Sequence, residues 1–389
     1  MSDWEIKKLE EIAFIERGRF SARPRNDPQY YGGNIPFIQT GDVAKGDGSV
    51  TNYSQTLNDK GLTLSKMFPR NSLVISIAAN IGDVARVNFD FACPDSLVVI
   101  QPYGNTDTAW LKYLLKFKKT YFISRATQNA QANINLQTIK PLKIHVPSYD
   151  EQRAISCTLQ TWDTAIQKTE ALIAAKERQF EWLKSKLLLL NPNARHWKTS
   201  SLGQYIEEKK EKSTVPDLYP CLTSSRRGMF LQDNYFSKQV ASKDNTGYKI
   251  MECGNFTFRS MSDDGIFVFN QQNIVDKGLI SPAYGVFSPK NNMDANYLYY
   301  FLNSSSFRRI LAREVQGGTR TALKLNALNK LYVQIPYLEE QKVIANKLNT
   351  AQQQIALLKK LAEQYRLQKR GLMQKLLSGE WRIKNKEVV

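Results

Sequence analysis

Two stretches of the chain carry the same phrase, VPSYDEQRAI at residues 146–155 and IPYLEEQKVI at residues 335–344. Each has an apolar residue, a proline, two further residues, two acids, a glutamine, a base, one residue and an isoleucine. Aligning Pro147 with Pro336 sets an offset of 189 residues (336 − 147), and the match continues without a gap for about 40 residues. Self-similarity at a fixed offset indicates that the chain consists of two related halves.

The repeated segment is predicted to form one long helix in each half. Apolar residues recur in steps of three and four, which is typical of a heptad seam interrupted by polar positions. The first seam comprises Ile155, Leu159, Trp162, Ile166, Ile173, Phe180, Leu183 and Leu187, and the second comprises Ile344, Leu348, Ile355, Leu358, Leu372 and Leu376. Ser148 and Glu151 have the spacing of a capping box at the first helix start.

The segments ahead of the two helices repeat more loosely and predict two mixed α/β globules. Short β-branched or aromatic runs alternate there with Gly, Asn, Asp and Pro. The predicted domains are the globules 1–146 and 193–335 and the helical segments 147–192 and 336–389. The fold class is therefore α+β, with a pseudo-two-fold repeat.

A two-fold relation between the halves would make the long helices pair as an antiparallel coiled coil. Each helix would be about 60 Å long at 1.5 Å per residue. Because the seam is duplicated, a fragment containing one half is expected to pair with a copy of itself. The phrase GEWRI at 379–383, after the second helix, resembles RHWKT at 195–199, after the first, so the C-terminal segment is expected to lead back toward the start of the first globule.

Composition favours a polyanionic partner. Lysine and arginine number 54 against 36 acids, a net charge of +18, which suits nucleic acid or an anionic surface. The apolar runs are far shorter than the roughly 20 residues of a membrane span. The four cysteines form no CxxC pair, which is typical of reduced thiols, so a cytoplasmic location is expected.

The sequence lacks the motifs of an enzyme acting alone. It contains neither a Walker A sequence nor a GxGxxG after a predicted strand. His145 and His196 are its only histidines, and neither has metal-ligand spacing around it. Asp263 and Asp264 could be paired carboxylates, although a solvated turn is the favoured interpretation. We therefore expect no catalysis and no metal ion in this chain.

The repeated helical phrase behind two dissimilar globules resembles the DNA-specificity subunit of type I restriction–modification systems, the HsdS family. LMQKLLSGEWRI (372–383) is similar to how such subunits end, and YGGNIPFIQTGDV (31–43) and SPAYGVF (281–287) resemble phrases of their target-recognition domains. The resemblance covers essentially the whole chain.

The resemblance implies a non-catalytic subunit that reads a two-part double-stranded DNA site, one part per target-recognition domain. The helices would set the unread gap and dock the partners, which would be two methylase subunits and two motor-nuclease subunits. Adenine methylation would use S-adenosylmethionine, and cleavage would use ATP and Mg²⁺, all bound by those partners and none by this chain. The globules share few loop residues, so the site would be asymmetric.

Candidate DNA-binding residues are polar or basic and lie in predicted loops at strand ends, where base edges and phosphates are read. They are Arg17, Arg19, Arg23, Arg25, Gln39, Thr40, Asn80, Gln128, Asn129, Thr223, Ser224, Ser225, Arg226, Arg227, Arg259, Ser260, Arg320 and Lys324. Each could instead be a solvated surface residue. A non-specific nucleic-acid-binding scaffold is the alternative function, and it explains the charge but not two unlike globules on duplicated helices. A restriction–methylation fusion would require methylase motifs, which the sequence lacks.

Overall fold

The chain divides into two compact units in a computed structural model that describes residues 4–126, 133–188, 197–235, 244–314 and 321–383. Unit 1 comprises Met1–Thr169 and Leu361–Val389, and unit 2 comprises Glu170–Lys360. Each unit contains helices and several sheets, and the predicted α+β class is confirmed. The predicted domain limits are drawn differently from these units and stay predictions.

Unit 1 is built on eleven strands and six short helices in its described part. The strands are β1 (Glu5–Lys8), β2 (Ala13–Arg17), β3 (Tyr31–Phe37), β4 (Ser49–Val50), β5 (Gln55–Leu57), β6 (Met67–Phe68), β7 (Leu73–Ser76), β8 (Val84–Val87), β9 (Phe91–Ala92), β10 (Leu97–Pro102) and β11 (Lys143–Val146). The helices are α1 (Leu9–Ile12), α2 (Thr40–Lys45), α3 (Asp59–Thr63), α4 (Thr108–Phe117), α5 (Lys119–Ala126) and α6 (Leu136–Ile139), and a 3₁₀ turn spans Pro28–Tyr30. The first long helix, α7 (Tyr149–Leu187), begins in this unit.

The sheets of unit 1 are mixed. One has the order β2-β10-β7-β8-β4, a second β5-β3-β9-β6, and β1 pairs with β11. β3 with β9 and β4 with β8 are parallel, whereas the other pairs are antiparallel. β7 and the first four residues of β10 are buried throughout. Their continuous apolar runs reflect strands covered on both faces.

Unit 2 has twelve strands and four short helices in its described part. The strands are β12 (Lys198–Ser201), β13 (Ile206–Glu208), β14 (Leu222–Ser225), β15 (Gly228–Leu231), β16 (Lys249–Glu252), β17 (Phe256–Arg259), β18 (Met261–Ser262), β19 (Asn270–Gln271), β20 (Lys277–Ile280), β21 (Tyr284–Pro289), β22 (Thr321–Ala322) and β23 (Tyr332–Ile335). The helices are α8 (Gln232–Tyr235), α9 (Ala295–Leu302), α10 (Ser305–Glu314) and α11 (Leu325–Lys330), with a 3₁₀ turn at Leu202–Gln204. The second long helix, α12 (Leu338–Leu377), begins here.

The largest sheet of unit 2 has the order β13-β21-β17-β19, beside the two-stranded pairs β12-β23, β14-β15, β16-β20 and β18-β22. Its core is aromatic. Phe258 packs against Phe269 and Phe287 at ring-centroid distances of 5.2 and 6.2 Å. β12-β23 in unit 2 matches β1-β11 in unit 1, because both place the strand ahead of a long helix against the first strand of its globule. The duplication seen in the sequence therefore includes the framework of the globules.

The long helices pack antiparallel within each unit, as predicted. In unit 1, Ile155 and Leu159 of α7 share a core with Leu376 of α12. In unit 2, Phe180 and Leu183 of α7 pack against the core that contains Leu348 of α12. Early residues of one helix thus meet late residues of the other. Every predicted seam residue is buried or half-buried.

The repeated Glu-Gln pair ties each long helix to its own globule. In unit 1, the side-chain amide of Gln152 donates to the carbonyl of Pro147 (3.0 Å), and its oxygen accepts from the Asp107 N–H (2.8 Å). Asp107 in turn caps α4. Gln341 makes the matching bonds to Pro336 (2.9 Å) and Asp294 (2.8 Å), and Asp294 caps α9. We call this arrangement the glutamine bridge.

The glutamate of the phrase accepts a hydrogen bond from a tryptophan in both units. Trp4 Nε1 donates to Glu151 and Trp197 Nε1 donates to Glu340, each at 3.1 Å. The predicted capping box is therefore only half formed at the first helix: the Glu151 N–H donates to Ser148 Oγ (3.4 Å), while the Glu151 carboxylate binds Trp4 and Arg382. Arg382, among the last described residues, also lies 5.4 Å from the Trp4 ring centroid, so this part of the chain returns to the start of the first globule as predicted.

Candidate nucleic-acid interface

A two-residue hairpin presents a pair of arginines in unit 2. β14 and β15 pair with Ser225 opposite Gly228, so that Arg226 and Arg227 form the turn, and both are exposed. Gly228 has a φ of +121°, a conformation that favours glycine. The buried Asn270 supports the hairpin by donating to Ser224 Oγ and to the Ser225 carbonyl, both at 2.8 Å.

Arg226 is held by an acid across the cleft. Its Nη2 lies 2.6 Å from Asp264 Oδ2. The hydrogen bond from Arg226, together with those from the Ile266 N–H and the Ser262 hydroxyl, lowers the pKa of Asp264 to about 2. Asp264 therefore stays ionised in any neutral solution, and it fixes the direction of the guanidinium while leaving its other N–H groups available.

Arg227 is held by aromatic rings instead. Its guanidinium lies 5.1 Å from the ring centroid of Tyr235 and 6.0 Å from that of Phe230. Hydrogen bonding from Arg227 and Ser225 lowers the pKa of the Tyr235 hydroxyl. The two turn arginines are thus positioned by different partners.

Arg259 ends β17 beside the hairpin and is exposed. Within the described ranges its side chain makes no hydrogen bond or ion pair. A cleft of about 370 Å³ is lined by five of the predicted residues, namely Thr223, Ser224, Ser225, Arg226 and Arg259, along with residues including Tyr235, Ser262 and Tyr284. Thr223 is only 6% exposed and presents little surface to a ligand. Ser260 follows Arg259, and its N–H donates to the Ala283 carbonyl (3.2 Å).

In unit 1 two of the four predicted arginines contact Asp95. Arg17 Nε donates to the backbone carbonyl of Asp95, and Arg25 Nη2 lies 2.8 Å from its carboxylate. Arg23 Nη1 donates to the carbonyl of Ala22 (2.6 Å). Arg19 is exposed, and its side chain has no hydrogen-bond or ion-pair partner in the described part of the chain.

The remaining predicted residues of unit 1 lie on other elements. Gln39 precedes α2 and donates to Gln55 Oε1 (2.9 Å), and Thr40 is the first residue of α2. Asn80 is exposed in the loop between β7 and β8. No contact among the described residues joins these three to the arginines around Asp95.

Four predicted residues come from the segments just ahead of the long helices. Lys324 is exposed and precedes α11. Gln128, Asn129 and Arg320 lie outside the described residues.

Sequence reasoning missed Asp264, Asn270 and Asp95 as positioning groups. The sequence favours a solvated turn at Asp264, and Asp264 does form one, since its carboxylate accepts from the Ile266 N–H (3.1 Å). Its pairing with Arg226 spans 38 residues, and that of Asp95 with Arg25 spans 70. No local pattern could have indicated contacts at such separations.

Two kinds of feature are absent from the described residues. No described helix is long and apolar enough to cross a membrane. No group of three or more His, Cys, Asp or Glu side chains in the described part is arranged to hold a metal ion.

Comparison with known proteins places this framework in a family. The family model for the type I restriction modification DNA specificity domain matches residues 1–177 and 196–365. The MjaVIII type I restriction enzyme specificity subunit of Methanocaldococcus jannaschii is 21% identical, over 98% of this chain and 94% of its own length. The EcoprrI specificity subunit of Escherichia coli is 20% identical, over 80% of this chain and 79% of its own length.

Solved structures share the fold. The HsdS subunit from Thermoanaerobacter tengcongensis matches with a TM-score of 0.57 at 16% identity, covering 97% of both chains. The S subunit of the type I system from M. genitalium matches with a TM-score of 0.53 at 14% identity, covering 96% of both chains. With two family matches that together span most of its length, the chain belongs to the type I restriction–modification DNA specificity family.

Proposed function

We propose that this specificity subunit reads an asymmetric DNA sequence in two parts, one with each target-recognition domain. One observation carries the proposal: the two units share the glutamine bridge but expose unlike cationic groups. Unit 2 offers the Arg226–Arg227 hairpin, whereas unit 1 offers arginines around Asp95. A shared framework with different surfaces is what two different half-sites require, since half-site reading depends on the side chains that reach the base edges.

Arg226 is the strongest candidate base reader. The major groove of B-DNA admits a two-stranded β-ribbon, and arginine commonly makes two hydrogen bonds to guanine there. Asp264 restricts the guanidinium before binding, which lowers the conformational entropy lost on contact. Arg259, which is exposed beside the hairpin, and Arg19 in unit 1 are assigned to phosphates, because most protein–DNA hydrogen bonds go to the backbone.

The long helices are proposed to dock two methylase subunits. The resulting assembly of this chain with the methylases is proposed to bind two motor-nuclease subunits. Leu172 on α7 is 45% exposed and Leu361 on α12 is 39% exposed. They occupy equivalent positions of the repeat, so two identical partners could each contact a leucine in the same local setting. Exposed apolar side chains at matching positions support a docking role. Leu172→Lys with Leu361→Lys should abolish co-purification with the methylase, while the exposed polar control Gln353→Lys should not.

Chemistry is assigned to the partners. In this proposal the methylase binds S-adenosylmethionine and methylates adenine, and the motor-nuclease binds ATP and Mg²⁺ and cleaves DNA. In the same proposal this chain binds none of these cofactors and contributes sequence recognition and the docking of its partners.

Methylome mapping tests the proposal. The chain co-expressed with its methylase should direct adenine methylation to one asymmetric sequence with a fixed unread gap. The alternative is a non-specific nucleic-acid-binding scaffold, which the net charge of +18 would equally support. Methylation spread without a consensus, or binding to duplex DNA and RNA with equal affinity, would favour that alternative.

A further inference from the structure

The packing of α7 on α12 differs between the two units at equivalent positions. In unit 1, the Tyr113 hydroxyl donates to the carboxylate of Asp163, and Lys369 forms an ion pair with the same carboxylate. The Lys369 amine also lies 5.4 Å from the ring centroid of Tyr113. Lys369 is 16% exposed and Asp163 35% exposed, so both charges are partly removed from water.

Unit 2 has the same arrangement without charge. Tyr300 matches Tyr113, and the 189-residue offset makes Gln352 equivalent to Asp163 and Phe180 equivalent to Lys369. The Tyr300 hydroxyl lies 2.6 Å from Gln352 Oε1, and its ring centroid lies 6.2 Å from that of Phe180. A tyrosine from the globule thus meets both long helices in each unit, but only unit 1 places an acid and a base there.

An ion pair of unit 2 has its charges reversed at the equivalent positions of the repeat. Glu177 on α7 and Lys359 on α12 are joined at 2.7 Å. The offset makes Arg366 equivalent to Glu177, and Glu170 equivalent to Lys359. At both pairs of equivalent positions, α7 therefore carries an acid and α12 carries a base.

The apolar contacts differ as well. In unit 1, the rings of Trp162 and Tyr365 lie 5.7 Å apart in an edge-to-face arrangement. Ala351 and Lys176 occupy the equivalent positions in unit 2, where both line a groove of about 420 Å³. Two large rings in one unit are thus replaced by a small side chain and a flexible one in the other.

We propose that the α7–α12 surface is an interaction surface selective for the other half of the same chain, and that it disfavours a second copy of the same half. If the first half paired with its copy, Glu177 would face Glu170 of the copy, twice over. Asp163 would lose Lys369 and face Phe180 instead. A partly buried carboxylate without its base is costly.

The second half is equally mismatched with its own copy. Lys359 would face Arg366, and Lys369 would face Gln352 with no acid. The native pairing avoids these contacts. This proposal is the opposite of the expectation from the repeat alone, which was that one half pairs with a copy of itself. None of these contacts depends on DNA reading. As a consequence, each helix pair carries two unlike globules and not two copies of the same globule.

A cut version of the full chain tests the selectivity. A protease site is placed within residues 189–196, and the full-length protein is cut, unfolded in urea and refolded by dilution. Native mass spectrometry then counts two kinds of dimer. A mixed pair contains one first-half and one second-half fragment, and a like pair contains two copies of the same fragment. The unaltered sequence should give mixed pairs almost exclusively.

Glu177→Lys combined with Lys359→Glu is the informative variant. This exchange keeps the ion pair between positions 177 and 359. It also makes both like pairs attractive. In a pair of first halves the lysine at position 177 would face Glu170, and in a pair of second halves the glutamate at position 359 would face Arg366. Two repulsive contacts become attractive in each like pair, so the fraction of like pairs should rise about tenfold. Adding Asp163→Gln and Lys369→Phe, which copies the chemistry of unit 2 into unit 1, should raise it further.

The control exchanges charges away from the helix seam, with Glu16→Lys and Lys66→Glu, which form an ion pair at 2.6 Å on the first globule. It should leave the fraction of like pairs unchanged. The proposal would be overturned if the unaltered protein formed like pairs as often as random pairing predicts, or if the charge-exchanged variants formed no more of them.

The uncut chain gives a second measurement. Glu177→Lys alone should lower the melting temperature and added Lys359→Glu should restore it, and a lack of rescue also overturns the proposal.

Discussion

Gln152 and Gln341 make matching hydrogen bonds in the two units, which explains why the chain repeats the sequence around them. Each is almost fully buried, with 1% of its surface exposed. Each side chain satisfies a proline carbonyl and the N–H of an aspartate that caps a globule helix. A buried amide that meets both needs orients the globule relative to the helix start.

Gln341→Ala should lower the free energy of unfolding by about 1–3 kcal/mol, because the Asp294 N–H and the Pro336 carbonyl would lose this buried partner. Gln152→Ala should cost a similar amount. Urea titration measures both, with the exposed Gln353→Ala as control. A Gln341→Ala midpoint equal to that of the control would show that water or a neighbour replaces the glutamine.

Asp264 makes the Arg226 contact insensitive to pH over the range in which the protein is used. Its pKa in the folded protein, about 2, lies below the ordinary value of 3.8. A lowered pKa means that the contact stabilises fully above the ordinary value and is lost as pH falls toward 2. Carboxyl NMR titration should show this. Arg226→Ala should move the pKa of Asp264 up toward 3.8, whereas Arg259→Ala should not. An unchanged pKa in Arg226→Ala would assign the effect to Ser262 and the Ile266 N–H.

Among the secondary-structure elements, the two long helices have the lengths that are most directly predicted from the sequence. α7 has 39 residues and α12 has 40. Their seam residues are buried or half-buried, while their other faces carry exposed leucines such as Leu172 and Leu361. One face therefore serves the pairing of the helices, and another is available to partners.

Inserting four residues near Ala174–Lys176, with a matched insertion beside Ile355 of α12, should lengthen the unread gap. Four residues add about 6 Å and about one helical turn, which nearly preserves the facing of the seam. DNA rises about 3.4 Å per base pair, so the gap should grow by one or two pairs. Methylome mapping reads both the gap and the half-sites. Altered half-sites with an unchanged gap would show that the helices do not set the spacing.

For the molecule as a whole, the proposed function assigns general affinity for DNA to the net charge of +18 and discrimination between sequences to the two unlike globules. Charge alone attracts any polyanion. In the proposed function, specificity depends on the few side chains held in fixed directions, of which Arg226, paired with Asp264, is the clearest example.

Arg226→Ala should relax one position of one half-site, at a cost of about 1–3 kcal/mol in discrimination. The other half-site and the gap should stay unchanged, because unit 1 is untouched. Arg259→Ala is the matched control: loss of the phosphate contact proposed for Arg259 should weaken binding to all sequences alike and reduce the salt slope by about 1. Methylation assays on single-base variants of the site separate the two. Changes in both half-sites from Arg226→Ala would contradict reading by separate domains.

The long helices, their seam and the duplication could all be predicted from the sequence alone. They follow from spacings of three, four and 189 residues, and a helix converts such spacings directly into faces. The antiparallel pairing and five of the thirteen residues around the unit 2 cleft were also predictable, since loops at strand ends could be located from Gly, Asn and Ser clusters.

Tertiary contacts were needed to establish what holds the candidate readers and which side chains of the two long helices meet. Asp264 meets Arg226, and Asp95 meets Arg17 and Arg25, across long stretches of chain that no local pattern connects. The repeat made the halves look interchangeable, but the pairing of α7 with α12 brings Asp163 to Lys369 and Glu177 to Lys359. Complementarity is a property of two surfaces in contact. A sequence records each surface separately, and folding determines which of them meet.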